Sequence, residues 1–212
     1  MKRIAVLASG GGTNFQAVLD ACEQGRIAGR VVCLIYNRRE AFARQRAQRA
    51  GVPAYYISLR QYEGLEDMQA AVHERLCACE ADIVVLAGYL LRLGPQTVRR
   101  WRGRIVNTHP ALIPSFCGQG FYGERVHQAV LDYGAKVSGC TIHLVDEQYD
   151  TGPILLQEAV PVLEDDDAHT LAARILPVEH RLLVQAVALL CDDRVHVEGR
   201  RVTLLPQSAP IQ

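Results

Sequence analysis

The sequence predicts an α/β fold: a parallel sheet in the N-terminal half that continues into an antiparallel C-terminal part, with helices on both faces. Two patterns carry this reading. From residue 2 to residue 107, short apolar runs without polar alternation take turns with stretches of helical periodicity. Strands buried on both faces of a parallel sheet, and the helices that cross between them, read this way. Beyond Lys136 the helices drop out between strands: 137–145 and 154–162 are longer runs joined by Asp146-Glu-Gln-Tyr-Asp-Thr-Gly-Pro153, which suggests an antiparallel pair.

The elements follow in order. Residues 2–8 form a first strand closed by Ser9-Gly10-Gly11-Gly12, and 14–24 a helix with Phe15, Val18, Leu19 and Cys22 on one face. A second strand, 31–36, ends in Asn37-Arg38-Arg39, and a helix rich in Ala, Arg and Gln runs to Gly51, a C-terminal stop. Residues 54–57 are a third short strand. In the helix 66–79, Met68, Val72 and Leu76 recur four apart, and 82–88 is a fourth strand, apolar on both faces. A short helix (95–102) and a fifth strand (105–107) lead into the loop 109–123, with Pro110, Pro114, Gly118, Gly120 and Gly123. A loop of that length inside a compact domain is usually functional. Helix 124–133 precedes the antiparallel pair. The acidic stretch 164–167 then introduces a helix over 168–191, stopped by Asp192-Asp193; 195–202 reads as a terminal hairpin and 206–212 as a loose tail. No repeat, low-complexity linker or domain boundary interrupts the 212 residues, which suit one sizeable α/β domain over 1–212.

Composition narrows the function classes. Lys plus Arg and Asp plus Glu each number 23, so the net charge is zero and exerts no long-range pull on nucleic acid or an anionic membrane. Neither is expected as a partner. The seven cysteines lack a Cys-x-x-Cys pair, and Cys77-Ala-Cys79 has no His-rich counterpart. They read as reduced thiols in a cytoplasmic protein, mostly small core residues, with no metal site. The apolar run 4–8 is too short for a signal peptide or a membrane span.

Two constellations carry chemistry. Ser9-Gly10-Gly11-Gly12-Thr13-Asn14 lies between the first strand and first helix, where backbone amides and the helix dipole can cradle a phosphate. Thr13 or Asn14 can cap the helix and also donate to a phosphate oxygen. Phe15 occupies the sixth place of a G-x-G-x-x-G fingerprint and the Gly-Lys-Ser/Thr of a Walker loop is absent, so neither NAD nor ATP is indicated. A tight turn without a ligand is the alternative. The second constellation is Asn107, His109 and Asp150. Asn107 and His109, two apart in an extended segment, point the same way. An amide and an imidazolium can hold an oxyanion, and a carboxylate can keep the imidazole charged or take a proton from an attacking amine. Taken singly, the three also read as a turn former, a structural histidine and an ordinary Asp-Thr-Gly-Pro turn. No G-x-S-x-G elbow points to covalent catalysis.

Ser9-Gly-Gly-Gly-Thr-Asn14, Leu86-Ala-Gly-Tyr-Leu90, Asn107-Thr-His-Pro-Ala-Leu-Ile-Pro-Ser115 and Asp146-Glu-x-x-Asp-Thr-Gly-Pro-Ile154 occur in one order across nearly the whole chain. In these motifs the chain resembles the folate-dependent formyltransferases, and within them the phosphoribosylglycinamide group. The resemblance implies a Rossmann-like formyltransferase fold and transfer of a formyl group from 10-formyltetrahydrofolate, as co-substrate, to the amine of phosphoribosylglycinamide in purine synthesis. It makes Asn107, His109 and Asp150 the catalytic group, His109 acting in its charged form. It assigns Gly12, Thr13, Asn14 and Glu179 to the nucleotide, and Leu90, Leu91, Arg92, Leu93, Val98, Asp146, Glu147, Gln148 and Tyr149 to the folate. Thr141 and His143 would stand behind the site, and Ile113–Pro114 would be a cis bond. By the same resemblance 1–108 is a nucleotide-binding half and 109–205 a folate-binding, catalytic half.

Relatives often place an arginine for the folate tail where this chain reads Gly64-Leu65-Glu66; Arg60 or Arg92 is the substitute for that contact, a weakly held tail the alternative. Small-molecule substrates and a monomer or weak homodimer are expected. The rival readings are a formyltetrahydrofolate deformylase, whose relatives carry an additional N-terminal domain while this chain starts at its first strand, and a non-catalytic nucleotide-binding module. A transfer RNA formyltransferase would be longer and more basic.

Overall fold

The computed structural model describes residues 1–206; the expected tail falls outside them from residue 207 on. One seven-stranded sheet organises the chain: β1 (Lys2–Ala8), β2 (Gly29–Tyr36), β3 (Ala54–Tyr56), β4 (Ile83–Leu86), β5 (Ile105–His109), β6 (Val137–Leu144) and β7 (Ile154–Pro161), in the spatial order β3-β2-β1-β4-β5-β6-β7. The first five strands are parallel, and β6 and β7 run antiparallel to their neighbours. A separate hairpin, β8 (Val195–Glu198) and β9 (Arg201–Leu204), follows the last helix. The sheet passes through residue 108 without a break, because β5 pairs with β4 on one side and β6 on the other.

The apolar runs have no polar alternation because both faces of the sheet are covered. Along β1, Ile4, Val6 and Ala8 join one core, which contains Phe15 and Val18 of α1 (Thr13–Glu23) and Leu171, Ile175 and Leu183 of α6 (Ala168–Cys191). Ala5 and Leu7 point to a second core, built on Met68, Val72 and Leu76 of α3 (Leu65–Ala78) and on Val98 of α4 (Pro95–Arg100) with the adjacent Trp101. Two shorter helices, α2 (Ala43–Arg49) and α5 (Glu124–Asp132), complete the cover.

α6 begins in a reciprocal cap: Asp167 accepts from the Thr170 amide at 2.7 Å, and the Thr170 hydroxyl accepts from the Asp167 amide at 2.9 Å. Pro177 lies inside this helix.

Two boundaries moved for physical reasons. β5 extends to His109 instead of ending at Asn107, because β6 pairs with it through Thr108–Ile142 and His109–Thr141. That partner is remote in sequence, and local pattern does not reveal it. The short helix ends at Arg100, before Trp101, whose indole N–H is drawn to the Ala81 carbonyl at 2.7 Å. A 3₁₀ turn at Leu59–Gln61 was not anticipated.

Strand order reverses between β1 and β4, so chain segments leave the carboxyl ends of both strands in opposite directions and open a crevice there. Ser9 bridges the two exits: its amide donates to the Gly88 carbonyl at 3.1 Å and its hydroxyl accepts from the Leu90 amide at 3.0 Å. Gly139 permits β6 and β7 to approach closely. A Cβ there would overlap the Glu158 carbonyl and lie 2.7 Å from Leu112 Cδ2. Gly139→Ala is therefore expected to lower stability by about 1–3 kcal/mol, seen as a lower urea midpoint at unchanged slope. An unchanged midpoint would refute the close approach.

Candidate active site

A cavity of about 680 Å³ opens at the carboxyl ends of β4 and β5. Asn107 and His109 project from one face of β5, opposite His143 and Thr141 of β6, as their alternate parity requires. Asp150, in the loop from β6 to β7, brings its carboxylate to the same place. Gly118 donates its amide to Oδ2 at 2.9 Å, and His143 Nε2 and Asn107 Nδ2 lie 3.4 and 3.5 Å from Oδ1. His109 Nδ1 is 3.7 Å from Oδ2. The three residues expected to act together are thus brought together, and His143 joins them.

Hydrogen bonding constrains the protons. Phe116 carbonyl oxygen is 2.8 Å from His109 Nε2, and a carbonyl only accepts, so that nitrogen carries a hydrogen. By the same argument His143 donates from Nδ1 to the Leu144 carbonyl at 3.0 Å. His143 Nε2 lies 3.1 Å from Asn107 Nδ2 as well as 3.4 Å from Asp150 Oδ1.

Asp150 draws the His109 imidazole toward its charged form, as expected, but a stronger influence opposes it. Burial pushes the His109 imidazole below its ordinary value and outweighs the pull of Asp150 and of the Phe116 carbonyl in the other direction. For Asp150, burial favours the protonated form, but hydrogen bonds from His143 and Gly118 and the nearby histidines carry its carboxyl below the ordinary value. The resting pair is a neutral imidazole facing an ionised carboxylate.

At the glycine loop, Gly12 has φ 70, and a Cβ there would come within 2.7 Å of Ala43 Cβ on α2. Glycine is needed both for the turn and for the approach of the two helices. Gly12 itself is the N-cap of α1, and neither Thr13 nor Asn14 caps it through a side chain. Asn14 turns inward instead, donating from Nδ2 to Glu179 Oε1 at 2.9 Å; Thr108 Oγ1 donates to the same oxygen at 2.7 Å. Burial raises the Glu179 carboxyl despite these two bonds. Glu179 lines the cavity, whereas Gly12, Thr13 and Asn14 lie outside its lining, and Asn14 is linked to it through Glu179. Arg46 of α2 pins the loop by donating to the Gly11 carbonyl at 2.9 Å.

On the other side, Leu90, Leu91, Arg92, Leu93, Asp146, Gln148 and Tyr149 line the cavity, with the Arg92 guanidinium 5.9 Å from the Tyr149 ring centre. Arg60 lies in the exposed 3₁₀ turn, away from this lining. Two expected residues do not contribute. Val98 is 3 % exposed and packed in the second core with Trp101, and Glu147 points to solvent outside the lining. Thr141 is fully buried; its hydroxyl donates to the Ala111 carbonyl at 2.6 Å and accepts from the Ile113 amide at 3.1 Å, fixing the loop whose Ile113–Pro114 bond is cis.

Sequence reasoning missed Thr108, the Phe116 carbonyl, the Gly118 amide and His127. His127 is 5 % exposed and lines the cavity, its Nδ1 buried without a partner. Its place with Val126 and Val130 on the buried face of α5 was the available signal. Burial lowers His109, His127 and His180 alike. At these three histidines the folded protein therefore binds fewer protons than the unfolded chain as pH falls below about 6.5, an effect the raised Glu179 carboxyl opposes at lower pH. Stability is expected to be full above that pH and to fall as pH drops toward the lowered values, with a further loss below about pH 3.8 as Asp150 is protonated. Urea midpoints that stay constant from pH 7.5 to 5.5 would contradict this.

The family described as Formyl transferase matches residues 2–187. A phosphoribosylglycinamide formyltransferase of Mycobacterium tuberculosis is 44% identical over 202 residues, covering 95% of this chain and 91% of that protein. The chloroplastic phosphoribosylglycinamide formyltransferase of Vigna unguiculata is 42% identical over 194 residues; the match covers 92% of this chain but 62% of that longer protein. The crystal structure of glycinamide ribonucleotide transformylase 1 from Symbiobacterium toebii superposes with a TM-score of 0.92 at 45% identity, covering 97% of this chain and 95% of that one. Fold, cavity and sequence agree: the chain belongs to the formyl transferase family, within its group of phosphoribosylglycinamide formyltransferases.

Proposed function

We propose that the protein transfers the formyl group of 10-formyltetrahydrofolate to the amine of phosphoribosylglycinamide, yielding formylglycinamide ribonucleotide and tetrahydrofolate for purine synthesis. The observation that carries this reading is the convergence of Asn107, His109 and Asp150 in one cavity, with Glu179 on one side and the Leu90–Leu93 and Asp146–Tyr149 segments on the other. The volume and the leucine lining suit a flat heterocycle with polar edges. In this reading Leu90, Leu91, Leu93, Asp146, Gln148 and Tyr149 hold the pterin, largely through backbone groups. Arg92, beside Tyr149, meets the anionic tail. Glu179 takes the nucleotide's ribose or glycinamide groups, and the amides after Gly12, with Thr13 and Asn14, hold the phosphate. Seven free thiols, four of them buried, suit a reducing compartment such as the cytoplasm.

The chemistry follows from the two protonation states. When the amine attacks the formyl carbon, a C–N bond forms and the carbonyl electron pair moves to oxygen. Asn107 Nδ2 and the His109 ring N–H are the donors for that oxygen, which competes with the Phe116 carbonyl for the Nε2 hydrogen. The amine must lose a proton. Ionised Asp150, with neutral His109 behind it, accepts that proton and so charges the imidazole side of the pair as the oxyanion forms. On collapse the bond to the departing folate nitrogen breaks, and the same proton is returned to that nitrogen. The transfer is proton-neutral and leaves the pair as it began.

Asn107→Ala or His109→Ala is expected to lower kcat by about 10²–10³-fold each. Loss of the rate is expected on the acid side of the ordinary imidazole value of about 6.5, as His109, held lower by burial, gains its proton, with a plateau on the alkaline side. A rate that instead falls above pH 7 with the loss of an imidazolium would reverse the assignment. Tetrahydrofolate release, followed with and without phosphoribosylglycinamide, tests the activity itself. Equal release without the nucleotide would mark a deformylase, and none in either case a binding module.

A further inference from the structure

Asp150 holds a non-glycine residue in the left-handed region, with φ 54. Such a conformation persists where the surroundings impose it. Within the loop two contacts do so. Thr151 Oγ1 donates to Asp146 Oδ1 at 2.7 Å, and Gly152 presses against β6 so closely that a Cβ would overlap the Leu144 carbonyl. A third hold comes from much further along the chain. Arg200, at the turn between β8 and β9, donates from Nη1 to the Thr151 carbonyl at 2.8 Å. That carbonyl belongs to the peptide joining Thr151 to Gly152, one residue beyond Asp150.

The hairpin is a firm support for such a contact. Its ends are closed by the Leu205 amide on the Arg194 carbonyl at 2.9 Å and by Arg194 Nε on the Leu205 carbonyl at 2.8 Å. Val195 and Val202 pack against the main core, and Gly199, with φ 59, turns the chain so that Arg200 follows at the tip. The hairpin also lies beyond residue 187, where the family match ends.

We propose that Arg200 is a positioning residue for Asp150: by holding the Thr151 carbonyl it keeps the carboxylate facing His109, Asn107 and His143, which makes the C-terminal hairpin part of the catalytic apparatus. The proposal rests on the formyl-transfer reading for its kinetic consequence and on geometry alone for its structural one. A carboxylate displaced by about 1 Å is enough to cost a large factor in rate without touching the binding of the nucleotide.

The test uses the full chain with Arg200→Ala and Arg200→Lys beside the wild type. Arg200→Ala is expected to lower kcat about tenfold, with the nucleotide KM within about twofold and the thermal midpoint unchanged. The acid limb of its rate profile should move to lower pH, because His109 loses part of the carboxylate influence that raises it. Arg200→Lys, which keeps one donor, should recover part of the rate. The same displacement is read without turnover by following the His109 ring in an NMR titration, where Arg200→Ala should titrate at lower pH than the wild type. An unchanged His109 titration in Arg200→Ala overturns the proposal, as does a fall in kcat that lysine does not relieve. Failure of the wild type to show nucleotide-dependent turnover overturns the formyl-transfer reading instead, and leaves the titration to decide on Arg200.

Discussion

The register of β5 against β6 is the constraint on which the site depends. Asn107 stands opposite His143 and His109 opposite Thr141, and both pairs lie on one face of the sheet. Thr108, between them, faces the other way and reaches Glu179. A slip of one residue would exchange these faces, sending Asn107 and His109 toward the core around α6 and Thr108 in among Asp150 and His143. The antiparallel step at β6 also supplies what a purely parallel sheet lacks here: a neighbouring strand whose hairpin partner, β7, returns the chain through Asp150. The carboxylate arrives from a loop, but the loop is anchored at both ends in the sheet that holds the histidines.

Within that frame two forces compete over one ring. Both nitrogens of His109 face oxygen, the Phe116 carbonyl at 2.8 Å and Asp150 at 3.7 Å, and the doubly protonated ring alone can answer both. Burial of a charge opposes that form and prevails in the resting protein. The outcome is a histidine one proton short of satisfying its surroundings. A negative oxygen developing beside it changes the balance, because the new charge attracts the imidazolium most strongly when water is excluded. In the proposed formyl transfer, the cluster would gain its charge during the reaction and not before it.

Most of the architecture could be read from the chain because it obeys local rules. Met68, Val72 and Leu76 recur with the helical period and are buried as expected; the unbroken apolar runs of β1 and β4 match a sheet covered on both faces. The alternate parity of Asn107 and His109 placed them on one side, and the resemblance of motifs tied them to Asp150. The missed features depend on what is distant in sequence. His109 lies in a strand and not a loop because β6 extends the pairing. Asn14 forgoes the cap of α1 because Glu179, 165 residues away, accepts its amide. Val98 was assigned to a ligand on likeness of position, and the packing of Trp101 claims it for the core. The balance at His109 could not be read from the chain, because a sequence shows the attracting carboxylate but not the depth of burial.

Glu179 spends one oxygen on the protein. Asn14 and Thr108 both donate to Oε1, so a single atom joins the glycine turn at α1 to the strand that carries the reacting residues. The carboxylate borders the cavity, and a ligand that draws on it draws on both of those segments at once. Two binding events that share such an atom are thermodynamically linked, and the linkage is reciprocal: whatever occupancy of the glycine turn does to the affinity at the end of β5, occupancy there does in equal measure in return.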